Sequence, residues 1–340
     1  MRLMQAIAGA AQGGAEAFFT RLALALQRRG VAQEVLLRPE PTRLAALRAG
    51  GVAVGETWFG GPFDWASRWR FARAARRFQP SHVLTWMNRA TAACPRGEFV
   101  HAARLGGYYD LKYYRRAQHL IGNTPDIVDY LVRAGWPAAR AHYLPNFVDE
   151  TAAEPLDKRA LDTPEEAPVL LALGRLHPNK AFDVLLHALA RLPGVHLWLA
   201  GDGPEGAALR ALAHRLELGQ RAHFLGWWRE PAPLYASVEL VVCPSRFEPL
   251  GNVVIEAWAQ RKPVVAAAAK GPAGLIQHGE NGLLVPIDDE SRLAAAIRQV
   301  LADRPLAARL AATGRAAYEA SFTEAKVVDA YLGLLAGLTK

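Results

Sequence analysis

Two short stretches hold charges at spacings suited to a diphosphate. "GRLHPNK", residues 174–180, sets Arg175 and Lys180 in a loop directly before the helical segment "AFDVLLHALARL". A helix N-terminus carries roughly +0.5 of an elementary charge, and two fixed cations beside it make a diphosphate-sized anion site. Taken alone, such a pair is more often solvated. "SRFEPLGNVVIEAWAQRKP", residues 245–263, separates Glu248 from Glu256 by seven residues. Pro249, Leu250 and Gly251 predict a turn and residues 252–260 a helix, whose start offers the backbone amides of Gly251 and Asn252 to an anion. Glu256 falls one turn deeper on the face that Asn252 begins, and Glu248 lies in the loop across the same opening. A diphosphate repels both carboxylates, so they are expected to bind the neutral hydroxyl-bearing groups on either side, a ribose and a sugar. Singly, Glu248 reads as an exposed loop acid and Glu256 as a partner for Arg261 or Lys262. Jointly with Arg175 and Lys180, they predict a nucleotide-diphosphate-sugar site.

A third stretch, "AGDGPEG" (200–206), matches the G-x-G-x-x-G spacing of dinucleotide-binding loops. It lies on the second strand of its domain rather than the first, and Pro204 removes an amide where phosphate oxygens need donors. No acidic residue is expected to end a following strand about 20 positions on, since Glu217 reads as part of a helix. The glycines therefore predict a tight turn with unusual backbone angles, and no NAD.

The elements that must position these loops follow from alternating apolar runs and helix-period segments, the pattern of parallel sheets covered by helices. Residues 13–29 predict an amphipathic helix stopped by Gly30, and residues 34–37, 81–85 and 99–103 predict strands. Residues 150–168 are rich in Pro and charge without apolar periodicity and read as a linker. A second series starts at "VLLALG" (169–174) and runs through "VHLWLAG", "RAHFLG", "VELVVCPS" and "KPVVAAA". The expected architecture is α/β, two doubly wound domains facing a cleft, with ligands beyond the carboxyl ends of the strands. Residues 1–150 form the first domain and 151–321 the second. A length of 340 residues agrees with two cores.

Composition narrows the classes. No apolar run approaches the ~20 residues that span a bilayer. The opening "MRLMQAIAGAAQGG" has the charge and short apolar stretch of a signal peptide, but the next segment reads as the partner helix of a buried first strand. Cys94 and Cys243 are the only cysteines, which fits a reducing cytoplasm and offers neither a zinc set nor a disulfide framework. Residues 1–150 hold 20 Lys and Arg against 11 Asp and Glu, while the remainder holds 20 against 21. The first half thus expects an anionic partner; nucleic acid, acidic lipid and a phosphorylated glycolipid all qualify on charge.

At "EPLGNVVIE", "GRLHPNK", the "GDGP" turn, the glycine loop "GGAE" (13–16) and "LPNFVD" (144–149), the chain resembles the retaining glycosyltransferases of family 4, with the GT-B fold. The resemblance covers nearly the whole chain. It implies that Arg175 and Lys180 hold the donor diphosphate with the amides of Gly251 and Asn252, that Glu256 binds the ribose, and that Glu248 binds the transferred sugar. It also implies that Gly13 and Gly14 let the N-terminal loop approach phosphate and sugar, and that the base lies near residues 223–227, with His223 as a contact. Metal and cofactor are not expected, and the sequence has no Asp-x-Asp. Relatives carry a sugar-contacting His near the end of "FVHAARLGG", where this chain offers His101 or Arg104, with spacing favouring Arg104. The C-terminal helix, residues 322–340, is expected to cross back onto the first domain.

Two basic and aromatic stretches remain in the first half. In "DWASRWRFARAARRFQP" (64–80), Phe71, Ala74 and Phe78 share one helix face and Arg70, Arg73 and Arg77 another. It reads first as a surface helix packed on the sheet, and second as a contact for anionic lipid. In "RLGGYYDLKYYRR" (104–116), Arg104, Tyr108, Tyr109 and Lys112 are candidates to stack on and grip an anionic acceptor. Several N-terminal segments also resemble transferases of lipopolysaccharide core assembly. The expected protein is a cytoplasmic, metal-independent retaining hexosyltransferase at the inner membrane face, acting from a nucleotide sugar on an anionic saccharide or lipid-linked acceptor and not on nucleic acid. GDP-mannose leads as donor, with UDP-sugars close behind. The rival readings are a sugar-nucleotide epimerase of the same fold and a non-catalytic binding module.

Overall fold

A computed structural model describes residues 1–10, 13–61 and 63–339. The chain divides into two units, one of Met1–Phe147 with the segment from Glu324 onward, the other of Val148–Thr323. The first holds seven parallel strands: β1 (Arg2–Ile7), β2 (Ala32–Leu37), β3 (Ala53–Glu56), β4 (His82–Trp86), β5 (Val100–Leu105), β6 (His119–Gly122) and β7 (Ala141–Tyr143). Their order is β3-β2-β1-β4-β5-β6-β7. The opening segment that resembled a signal peptide is thus strand β1, paired with β2 on one side and β4 on the other. Five of its six residues are buried, as a strand covered on both faces requires.

The helix Gly14–Arg28 buries Phe18, Phe19, Leu22, Ala25 and Leu26 along one face. It stops where Gly30 takes φ +72°. Against it packs the chain's last helix, Glu324–Gly337, which contributes Val327, Val328, Tyr331 and Leu335 to the same core as Phe18 and Trp86. The first unit is therefore completed by residues from the far end of the sequence.

The second unit holds six parallel strands: β8 (Val169–Leu173), β9 (His196–Ala200), β10 (Ala222–Gly226), β11 (Leu240–Cys243), β12 (Val264–Ala267) and β13 (Leu283–Val285). The order is β10-β9-β8-β11-β12-β13. Two apolar clusters cover the sheet, one built around the helix Phe182–Ala190 and one around the helix Asn252–Ala259. Both cysteines are free and buried. In each unit the order reverses beside its first strand, at β1/β4 and at β8/β11, and ligands of such sheets lie beyond the carboxyl ends at that point.

Candidate functional site

The loops after β8 and β11 emerge side by side at the reversal of the second sheet, and they carry Arg175, Lys180, Glu248 and Gly251. They are bonded to each other along their length. The amides of Arg246 and Phe247 both donate to the Asn179 carbonyl, at 2.9 and 3.1 Å. The Arg246 guanidinium grips Asp183 with two bonds of 2.9 and 2.6 Å, donates 2.9 Å to the Pro178 carbonyl, and reaches Asp288 at 2.5 Å. Sequence reasoning missed this arginine. The signal available was Asp183 in the first turn of the helix Phe182–Ala190, an acid placed to take a cation from elsewhere. The first-turn amides of that helix are accordingly met by the Asp183 carboxylate, which Arg246 in turn pairs.

Lys180 turns instead to Glu248, with which it forms a short ion pair between largely buried side chains. Burial pulls the Lys180 ammonium down, but the neighbouring groups, Glu248 foremost and Glu256 with it, together outweigh it and the net shift is upward. Glu248 also accepts a 3.3 Å bond from the Gly251 amide, so that amide is partnered rather than free. Gly251 itself sits at φ +88° as the residue capping the helix Asn252–Ala259, with Pro272 and Leu275 at 3.4 Å from where a Cβ would stand. This is a left-handed position that favours glycine. One turn on, Glu256 accepts a 2.8 Å bond from the Tyr235 hydroxyl. Tyr235 is buried, and burial followed by Glu256 holds its hydroxyl well above the usual range, so it remains a proton donor to that carboxylate. The alternative partners of Glu256 are engaged elsewhere, Arg261 with Glu319 and Lys262 with the carbonyls of Ala236 and Val238. Nearby Cys243 is raised to about 11, first by burial and then by Glu248, and stays a thiol. Arg175 is exposed and makes no ion pair or hydrogen bond among the described residues. The opening therefore presents one unpaired guanidinium, one ammonium balanced by a carboxylate, and a second carboxylate held by a phenol.

The "GDGP" glycines are required by close packing. A Cβ on Gly201 would stand 1.8 Å from the Gly174 carbonyl oxygen, and one on Gly203 would stand 2.4 Å from that of Leu176. The turn braces the loop of Arg175 through the Leu176 amide, which donates 2.9 Å to Asp202, and the Gly201 amide donates 2.7 Å to Gly226. His223 requires a correction. It is the second residue of β10 and pairs with His196, the first residue of β9, at 3.1 Å, and with Thr163 at 3.2 Å. Three residues of extended strand, about 10 Å, separate it from the carboxyl end where a base would lie. Burial lowers both imidazoles, His223 further by His196, so the pair stays neutral.

In the first unit, Gly13 and Gly14 begin the helix after β1. A Cβ on Gly13 would stand 2.2 Å from Glu16 Oε2 and one on Gly9 would stand 2.5 Å from its Cγ, so these glycines make room for a side chain of the chain itself. Glu16 is buried and accepts 2.8 Å from the Ala10 amide. Residues 11 and 12 lie outside the described residues.

Arg104 also requires a correction. Only 2 % of it is exposed. Its guanidinium lies 4.7 Å from the Phe18 ring centre and 4.8 Å from that of Trp86, and it donates to the Tyr331 hydroxyl at 2.6 Å and to Asn146. It ties the last helix to the sheet and is withdrawn as an acceptor contact. His101 is equally interior, bonded to Thr85 at 2.8 Å and lowered by burial to about 4. Tyr108 is half-buried, donates to Asp126 and packs edge-on against Tyr130. Tyr109 is half-buried, its carbonyl accepting 2.8 Å from Tyr130, and burial and then Glu16 raise its hydroxyl. Lys112 is exposed and pairs with Asp110 at 2.7 Å.

Comparison with known proteins gives two family matches: "Glycosyltransferase Family 4" over residues 12–152 and "Glycosyl transferases group 1" over residues 167–303. The chain is 38% identical over 335 residues to the lipopolysaccharide core biosynthesis glycosyltransferase LpsE of Rhizobium meliloti, covering 95% of this chain and 96% of that protein. It is 35% identical over 331 residues to LpsD of the same organism, covering 95% of each. The crystal structure of Anabaena HepE in complex with UDP-glucose superposes with a TM-score of 0.85 at 22% identity, covering 99% of this chain and 100% of that one. The fold is GT-B.

Proposed function

The chain belongs to the glycosyltransferases of family 4 and group 1, and from that premise we propose that it moves a hexose from a nucleotide-diphosphate-sugar to an anionic saccharide of the lipopolysaccharide core. Transfer proceeds with retention of anomeric configuration and without a metal. The observation that carries this reading is the bonded set at the β8/β11 reversal, Lys180–Glu248–Gly251 with Glu256 one turn deeper. The names of LpsE and LpsD support the acceptor, as does the excess of positive charge in the first 150 residues. The enzyme then works in the cytoplasm, at the inner membrane face.

Breaking the sugar C1–O bond drives negative charge onto the leaving diphosphate. Arg175 and Lys180 stabilise that charge more in the transition state than in the ground state, because it grows as the bond lengthens. Arg175 has no competing anion among the described residues, whereas Lys180 exchanges part of its attraction to Glu248 for the diphosphate. Glu248 accepts bonds from sugar hydroxyls and Glu256, held by Tyr235, from the ribose. The acceptor hydroxyl forms the new C1–O bond on the face the diphosphate leaves, and its proton passes to a leaving diphosphate oxygen. Tyr108, Tyr109 and Lys112 remain as acceptor contacts.

The test incubates the protein with GDP-mannose or UDP-hexoses and a truncated lipopolysaccharide core, with and without EDTA, and reads the product anomer by NMR. An α-donor giving an α-glycoside at an EDTA-insensitive rate is expected. Epimerised nucleotide sugar in the absence of acceptor would point to an epimerase, and donor binding without product to a binding module.

A further inference from the structure

Four large aromatic side chains stand in water within twelve residues of the first unit. Trp58, Phe63, Trp65 and Trp69 are 59, 88, 72 and 56% exposed, four of the eleven large hydrophobic residues exposed among those described. The fold does not need them there. The helix Trp65–Phe78 buries Ser67, Phe71, Ala74 and Ala75, and the inner face closes a core with Met4 and Phe59. Its outward stripe is Trp65, Trp69, Arg73 and Arg76, spaced so that they rise along one side of the helix. Arginines accompany the rings: Arg38 lies over Trp58 at 5.9 Å, Arg68 over Trp65 at 5.8 Å and Arg73 over Trp69 at 5.3 Å. The only acid in residues 57–80 is Asp64, and its carboxylate is consumed in capping the helix, accepting 2.9 Å from the Ser67 amide and 2.7 Å from the Gly60 amide. Arg73 and Arg76 have no carboxylate partner among the described residues.

We propose that this surface, with Trp58, Phe63, Trp65 and Trp69 as anchors and Arg73 and Arg76 as charges, docks the first unit on an anionic lipid bilayer. Tryptophan rings are apolar bodies with a polar edge and favour the headgroup layer, where arginine meets lipid phosphate. A second copy is the poorer occupant, because a twofold contact through this face would set its unpaired guanidiniums against each other. No described helix is long and apolar enough to cross a membrane. The surface deepens the reading of a lipid-linked acceptor, and its purpose rests on that reading. Binding to lipid, however, is measured with no sugar present.

The experiment is co-sedimentation of the full chain with vesicles of phosphatidylcholine containing phosphatidylglycerol, against phosphatidylcholine alone. Binding to the anionic vesicles only is expected, falling about 30-fold in Arg73→Gln/Arg76→Gln, from the loss of two phosphate-facing cations. Trp65→Ser/Trp69→Ser should weaken it at least tenfold and reduce the quenching of tryptophan fluorescence by brominated lipid to the share that Trp58 contributes. Transfer to a delipidated core oligosaccharide should be unchanged in both variants, which separates failure of docking from failure of the enzyme assignment. Equal binding by wild type and variants, or binding to neutral vesicles alone, would overturn the proposal. So would a concentration-dependent dimer abolished by these substitutions without any lipid binding.

Discussion

Replacing Glu248 with Ala separates the two jobs assigned to the β11 loop. The carboxylate balances Lys180, receives the Gly251 amide and is read as the grip on the transferred sugar. Deleting one partner of a fully buried ion pair costs about 3–5 kcal/mol. Here the side chains keep 23% and 13% of their exposure, and Glu256 still acts on Lys180, so about 1–2 kcal/mol is expected instead. For a unit of this size that lowers Tm by roughly 2–8 °C. Transfer should suffer more selectively, since a charge-assisted bond to a hydroxyl is worth about 1.5–3 kcal/mol, or roughly 10–150-fold in kcat/KM. Affinity for free UDP or GDP should hold or tighten, because a negative charge near the diphosphate has been removed and Lys180 released to it. Titration calorimetry with the free nucleotide, beside initial rates with the nucleotide sugar, reads both quantities. A fall in nucleotide affinity equal to the fall in transfer would refute the division of labour, showing Glu248 to act only by holding the loop together.

Three further outcomes follow from other contacts. Arg246→Ala, which removes the clamp on Asp183, Asp288 and Pro178, is expected to cost about 1–2 kcal/mol after allowance for its partial exposure. It should raise the donor KM more than it lowers kcat, and Arg246→Lys should rescue little, as a point charge cannot span two carboxylates; unchanged KM in the alanine variant would remove the arginine from the site. Gly201→Ala must displace the Gly174 carbonyl and should lose about 3 kcal/mol or more in urea unfolding, whereas NAD should leave the wild-type Tm unmoved. A well-tolerated alanine there, or stabilisation by NAD, would contradict the account of the turn. His101 has an ordinary value of 6.5 and a folded value of about 4, so the unfolded chain binds its proton first. Its contribution to stability is complete above 6.5, declines as pH falls towards 4, and should leave a smaller pH slope in His101→Gln; parallel slopes would show the imidazole to be protonated in place.

The strands nearest the reversal of each sheet were legible in the sequence because parallel strands buried on both faces leave near-continuous apolar runs, as at 169–173 and 264–267, whereas β3, β6, β7 and β13, of three or four residues each, leave runs too short to read. Local chemistry also marked the helix start at Gly251 and the glutamate one turn beyond it, since a left-handed cap and a helical repeat are properties of neighbouring residues. Other features depended on partners far along the chain. Nothing near Lys180 says that it turns to Glu248, 68 residues away, or that Arg246 closes the same loop on Asp183. Arg104 looked like a surface cation beside tyrosines; packing of the last helix, 227 residues on, drew it inside, where the Tyr331 hydroxyl, the Asn146 amide and two ring faces take the place of water. His223, the expected base contact, lies near the amino end of its strand, a matter of direction that spacing alone does not express. Sequence thus determined which elements form and which charges are available, because those follow from short-range sterics and hydrophobic period. Tertiary structure decided which charges meet, because pairing energy depends on distance and desolvation between segments that only folding brings together.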